Sequence, residues 1–235
     1  MKRLLLLVIL SLTINSCAQE KAIDLVENTL NKLKIKKENC FTKFIINQKI
    51  SESESIILIP EINEKGNGFM TINGHILIVN SKNGEIQSSF SEKESWFSDA
   101  VRLDNIEILY KPYKISKDSE TIGVLIDYYG SSSTNPYSSK ELSLFFRKGE
   151  KLTRVLKDYP IYNSNGETDG MSSGEINEHK KTIEPVINSK TKFFNLKVID
   201  SIIKTESKNG IQKTIKDSIK IEQLKFISGK YKNVL

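Results

Sequence analysis

Residues 69–90 read Phe69-Met-Thr-Ile-Asn-Gly-His-Ile-Leu-Ile-Val-Asn-Ser-Lys-Asn-Gly-Glu-Ile-Gln-Ser-Ser-Phe90, and this stretch decides the fold class. Phe69 to Ile72, His75 to Asn80 and Glu85 to Phe90 are short runs rich in apolar and β-branched residues. Asn73-Gly74 and Asn83-Gly84 fall between them. Both members of an Asn-Gly pair tolerate positive φ, so the pair suits a two-residue hairpin turn. The reading is a meander of three strands joined by two tight turns.

The same pattern continues in both directions. Upstream, Phe41 to Ile50 and Ser55 to Ile59 read as strands, the second stopped by Pro60. Downstream, strands are predicted at Ile106 to Ile115, Thr121 to Tyr129, Glu141 to Phe146 and Leu152 to Tyr159. A last pair, Phe193 to Thr205 and Ile211 to Phe226, flanks Asn209-Gly210. One segment differs. Ile23, Val26, Leu30 and Leu33 have helical spacing and predict an amphipathic helix over about residues 21 to 35. The fold class is therefore mainly β, antiparallel sheets in a sandwich or open barrel-like arrangement, with one N-terminal helix. Trp96 and Phe97 lie between predicted strands and read as core aromatics.

Two polar stretches interrupt the pattern, Gly130 to Lys140 and Tyr162 to Lys181. Long polar loops in a compact domain are often functional. They supply the candidate polar site: Ser132, Asn135 and Tyr137 from the first, Glu167, Asp169 and Glu175 from the second. Asn135 and Tyr137 would position a ligand and the acids would supply negative charge. The alternative is two unrelated surface loops.

The chain carries 35 Lys and Arg against 29 Asp and Glu. Its arginines are Arg3, Arg102, Arg147 and Arg154, so the excess is lysine, with no basic cluster interleaved with aromatics. That argues against nucleic-acid recognition, which favours the arginine fork. The only cysteines are Cys17 and Cys40, and the only histidines His75 and His179. Neither zinc spacing nor a Gly-x-Ser-x-Gly elbow occurs. Residues 165–175 place Asn165, Glu167, Asp169, Gly170 and Glu175 at partly alternating positions, but Glu175 closes one place early for an EF-hand loop. No metal and no cofactor is expected.

The N-terminus sets the expected location. Lys2 and Arg3 precede an apolar run, Leu4 to Leu12, and the small residue Ser16 precedes Cys17. That is the layout of a cleavable export signal, too short for a stable membrane span. Ile14-Asn15-Ser16-Cys17 resembles the lipobox of bacterial lipoproteins. The resemblance implies diacylglycerol on the Cys17 sulfur, cleavage after residue 16, a lipidated tether over 17–21 and one domain over 22–235. The partner would be the membrane, reached through the lipid, in the bacterial cell envelope and at the outer rather than the inner membrane. With Cys17 lipidated, Cys40 would be the only thiol left and no internal disulfide could form.

Trp96-Phe-Ser-Asp-Ala100, Ile106 to Tyr113, Gly130 to Tyr137 and Glu141 to Phe145, with Gly166-Glu-Thr-Asp169 and Ser173-Gly-Glu175, resemble an uncharacterised family of bacterial secreted proteins. That resemblance implies no activity. The resulting expectation is a lipid-anchored envelope protein acting as a binding or structural module, since no catalytic constellation is legible. The alternative is an envelope hydrolase with a site built from the 130–140 and 162–181 loops, drawing on Ser132, Asp169, Glu175 and His179.

Overall fold

The computed structural model describes residues 24–117, 121–187 and 191–234. Ile23 and the lipobox with Cys17 lie outside the described residues. The helix α1 (Leu25–Leu33) starts at Asp24, whose Oδ1 accepts from the N–H groups of Val26 and Glu27 at 3.0 and 3.1 Å. This satisfies two of the donors a helix start leaves unpaired. It ends on Lys34 in the left-handed region, with Ile35 N–H bonded to Leu30 O at 3.0 Å, a Schellman-type stop.

Among the described residues twelve strands follow and form one sheet, not a closed barrel. The first meander is β1 (Ile46–Lys49), β2 (Glu54–Lys65), β3 (Met70–Asn80) and β4 (Ile86–Ser98). The second is β5 (Val101–Tyr110), β6 (Thr121–Gly130), β7 (Tyr137–Lys148), β8 (Lys151–Thr168), β9 (Gly174–Val186), β10 (Asn195–Lys208), β11 (Ile211–Ile227) and β12 (Lys230–Asn233). Within each meander, consecutive strands pair antiparallel. Among the described residues the strands of the two meanders pair at one place, parallel, Ser89 with Lys151. Arg154 holds the Glu92 carboxylate with both terminal nitrogens, at 2.7 and 2.5 Å, and ties β8 to β4.

The sheet folds back on itself in layers. On one face of β2 and β3, Ile57, Ile59, Leu77 and Val79 pack under Leu25 and Leu30 of α1. On the other face, Ile56, Leu58, Ile72, Ile76 and Ile78 meet Ile122, Val124 and Ile126 of β6 and Phe145 of β7. The opposite faces of β6 and β7 present Leu125, Leu142 and Leu144 to Ile183, Leu196, Val198 and Leu224 of β9 to β11. Burial of these aliphatic side chains is the main stabilising term, about 1.5–3 kcal/mol for each one fully covered.

Several sequence expectations are corrected. Asn73-Gly74 is not a turn: β3 runs straight through it. A Cβ on Gly74 would lie 2.9 Å from Ser95 Oγ and 3.1 Å from the Trp96 ring, and the β3–β4 register shifts between Ile72 and Gly74. The glycine marks a bulge under a bulky aromatic. Pro60 does not stop β2. Its carbonyl accepts from Phe41 N–H at 2.8 Å, on the side away from β3, so its missing N–H faces that same side beyond the end of β1 and no β3 ladder bond is lost. Trp96 lies within β4 and is buried, while Phe97 is exposed. Tyr162 to Lys181 is not a loop but the β8–β9 hairpin, leaving only residues 169–173 as a turn. The first polar stretch shrinks to residues 131–136. Asn209-Gly210 does form the expected two-residue turn, with φ of 51° and 80° and Lys208 paired to Ile211.

Candidate functional site

Three hairpin turns, 131–136, 169–173 and 209–210, meet at one end of the second meander. Thr168 joins the first two: its N–H donates to Thr134 O at 2.9 Å and its hydroxyl to Ser133 O at 2.5 Å. Ser172 O joins the last two, accepting from Gly210 N–H at 2.9 Å and from the Ser207 hydroxyl at 2.8 Å. Asp169 builds the middle turn. Its Oδ1 accepts from the N–H groups of Met171, Ser172 and Ser173 at 2.8, 2.9 and 3.0 Å. Those bonds, the Ser173 one foremost, hold its carboxyl below the usual carboxylate range.

A crevice of about 370 Å³ opens among these turns. Ser133, Thr168, Ser172, Ser173, Thr205, Ser207 and Gln212 line it, with backbone from Gly170, Gly174 and Gly210, Ile176 as its apolar wall and the exposed Met171 beside it. No lining side chain is charged. The register explains why. Thr168, Gly174, Ser207 and Gln212 are cross-strand neighbours and share one face of the sheet. Glu167, Glu175, Glu206 and Lys213 form the next row and point to the other face. There Glu175 pairs with Lys204 and Glu206 with Lys208.

The sequence-predicted site residues are therefore divided by the sheet. Asp169 shapes a turn, and Glu167 and Glu175 face away from the crevice. Tyr137 lies at the start of β7, opposite Asn165. Ser132 Oγ accepts from Asn135 N–H at 3.0 Å and so serves its own turn. What lines the crevice are hydroxyl and amide side chains of β8, β10 and β11 that no motif singled out. Asp169-Gly170 was the available signal, a turn dipeptide inside a stretch that reads in sequence as one long polar loop. Among the described residues no group of three or more His, Cys, Asp or Glu is placed to hold a metal.

His179 lies outside the crevice. Its Nδ1 is 3.0 Å from Asp200 Oδ2, on the charged face, with Asp200 only 3% exposed. Tyr159 stands nearby with its hydroxyl 3.4 Å from Glu222. Burial first, then the Glu222 and Asp200 charges, push the Tyr159 phenol up. A second polar row crosses β2, β3 and β4. Glu61 Oε2 is 3.1 Å from His75 Nε2, and His75 Nδ1 is 2.9 Å from Ser91 Oγ. Asn73 donates to the same Glu61 oxygen at 3.0 Å. Burial raises the Glu61 carboxyl, but the Asn73 and His75 hydrogen bonds and the His75 charge outweigh it and leave it lowered. Cys40 sits beside this row, bridged to Glu61, and burial pushes its thiol up.

Compared with known proteins, the chain matches no family model, no curated protein and no solved structure. The site must therefore speak for itself.

Proposed function

We propose that this protein is a lipid-anchored binding module of the bacterial cell envelope, and that its turn end holds an uncharged, polyhydroxylated ligand such as a neutral glycan. The anchor rests on the export signal and on the lipobox-like Ile14 to Cys17. The observation that carries the ligand class is the lining of the three-turn crevice. Hydroxyls, one carboxamide and glycine backbone offer paired donors and acceptors with no net charge. That set matches sugar hydroxyls, and the glycines let a ligand approach the main chain closely.

The test is titration of the purified protein with a panel of neutral oligosaccharides of glucose, galactose, mannose and N-acetylglucosamine. Binding by at least one of them is expected, weakened about tenfold by Gln212→Ala, which removes a donor and an acceptor at the crevice. Binding by none of them, or binding that Gln212→Ala and Ser207→Ala leave untouched, would overturn the proposal.

A second reading, hydrolase, has one specific observation in its favour. Ser91, His75 and Glu61 are aligned as nucleophile, base and orienting carboxylate. Among the described residues the 131–136 and 169–173 turns contain no such pair. Labelling by a fluorophosphonate that is lost in Ser91→Ala supports hydrolysis; an unlabelled protein rejects it.

A further inference from the structure

The longest exposed aliphatic run in the second meander is on β11. This strand pairs with β10 from Ile211 to Leu224, with one register shift that leaves Ile215 without a partner in the ladder. On its other side β12 covers only Leu224–Ile227, and Val234 N–H reaches Gln223 O at 3.2 Å. Among the described residues the outer edge before Gln223 has no strand beside it. In an antiparallel ladder each residue turns its N–H and C=O to the same side, alternating along the strand. Because Gln223 O faces outward, Ile221, Ile219 and Asp217 do so too. Ile219 and Ile221 are 69% and 64% exposed. They share a face with the half-buried Ile199 and Ile203 of β10. An open edge of this kind is a template for another strand.

We propose that the occupant is the same edge of a second copy, paired antiparallel about a two-fold axis through Ile219. This register sets Ile219 against itself, Asp217 against Ile221 of the other copy, and Lys216 against Glu222 of the other copy. The outward-facing residues become the hydrogen-bonded pairs, as the ladder requires. Ile219 and Ile221 of both copies extend the Ile199–Ile203 stripe across the axis. On the other face Lys216 comes beside Glu222 of the other copy, which already holds Lys220 of its own strand at 2.6 Å, so opposite and not like charges face each other at two symmetry-related places. Self-pairing also consumes the edge on both copies, so the assembly closes as a dimer and does not propagate. The short β12 and the bulge between Lys204 and Thr205 limit pairing to this central segment.

The test is native mass spectrometry of the purified full chain released from detergent, at rising protein concentration. The wild type is expected to convert from monomer to dimer and no further. Ile219→Lys, which sets two lysines together at the axis, and Lys216→Glu, which sets a carboxylate against Glu222, should each weaken the dimer by about tenfold or more. Both positions are exposed, so the fold is expected to survive, and unchanged circular dichroism checks it. A wild type that stays monomeric overturns the proposal. So does a dimer that both variants leave intact, which would place the interface elsewhere, and so does growth beyond dimers.

Discussion

Gly74→Ala should destabilise the protein, although a strand interior ordinarily gains from the exchange. The replacement methyl would sit 2.9 Å from Ser95 Oγ, 3.0 Å from Ser95 Cβ and 3.1 Å from the Trp96 ring. Trp96 is 7% exposed and belongs to the core shared by the two meanders, so its ring has little room to retreat. Overpacking of this kind costs about 1–3 kcal/mol. Relief of glycine's conformational freedom returns about 0.5–1 kcal/mol. At the middle of those ranges the expected net loss is about 1 kcal/mol, or about 2–4 °C in Tm at this chain length. Urea unfolding of wild type, Gly74→Ala and Gly74→Ala with Ser95→Gly measures it. The double variant should recover part of the loss, because it removes the Ser95 atoms and leaves the Trp96 contact. A neutral or stabilising Gly74→Ala would refute the reasoning and return Asn73-Gly74 to the status of an open turn.

Other outcomes follow from single contacts. Phe194→Ala empties a site that is 1% exposed and should cost about 3–5 kcal/mol in urea unfolding. The Arg154 hydrogen bonds, with smaller help from the Arg154 and Lys157 charges, hold the Glu92 carboxyl below its usual range despite burial. The stability from that shift is present above the unfolded-state carboxylate pKa and is lost as pH falls through the lower folded value. Glu92→Gln should therefore lower stability by about 1–2 kcal/mol at neutral pH and flatten the acid limb of the stability–pH curve, with an unchanged limb contradicting it. Cys17→Ala should abolish incorporation of labelled fatty acid and release the protein from the detergent phase; equal labelling of the variant and wild type would contradict the anchor.

How far the sequence spoke depended on whether a strand buries one face. β6, β7 and β10 alternate or run apolar because they bound the cores, and Thr121 to Tyr129, Glu141 to Phe146 and Phe193 to Thr205 were legible for that reason. Between Tyr162 and Lys181 the β8–β9 hairpin is half-buried or exposed on both faces and fully buries none of its residues, so no period of two marks it and the stretch reads as loop. Asn-Gly misled at Asn73-Gly74, lies at Asn83-Gly84 in a five-residue connection, 81–85, where Gly84 alone of the pair has positive φ and no two-residue turn forms, and served at Asn209-Gly210. Asn209-Gly210 has positive φ at both residues, whereas Gly74 is needed for the space above it and not for its dihedral freedom. Local chemistry cannot distinguish those uses without knowing that Trp96 lies across the strand.

The candidate site shows the same limit. Polar composition pointed to the right segments, and two of the three turns that meet are in them. Which side chains share a face follows from register. A difference of one position sends Glu167 to the charged face and Thr168 to the crevice. The sequence gives acids prominence because acids carry recognisable chemistry, and here they stabilise a turn or pair with lysines. The hydroxyls of Thr205 and Ser207 carry no motif, and only the folded sheet brings them beside Ser133 and Ser172.

The measurement that tests the central claim most directly is an amide-resolved NMR titration of the protein with whichever neutral oligosaccharide it binds. The account predicts shift changes confined to residues 133, 168–174, 205–207 and 210–212, on the uncharged face of the turn end. Changes centred instead on Glu61, His75 and Ser91, or on His179, Asp200 and Tyr159, would contradict it.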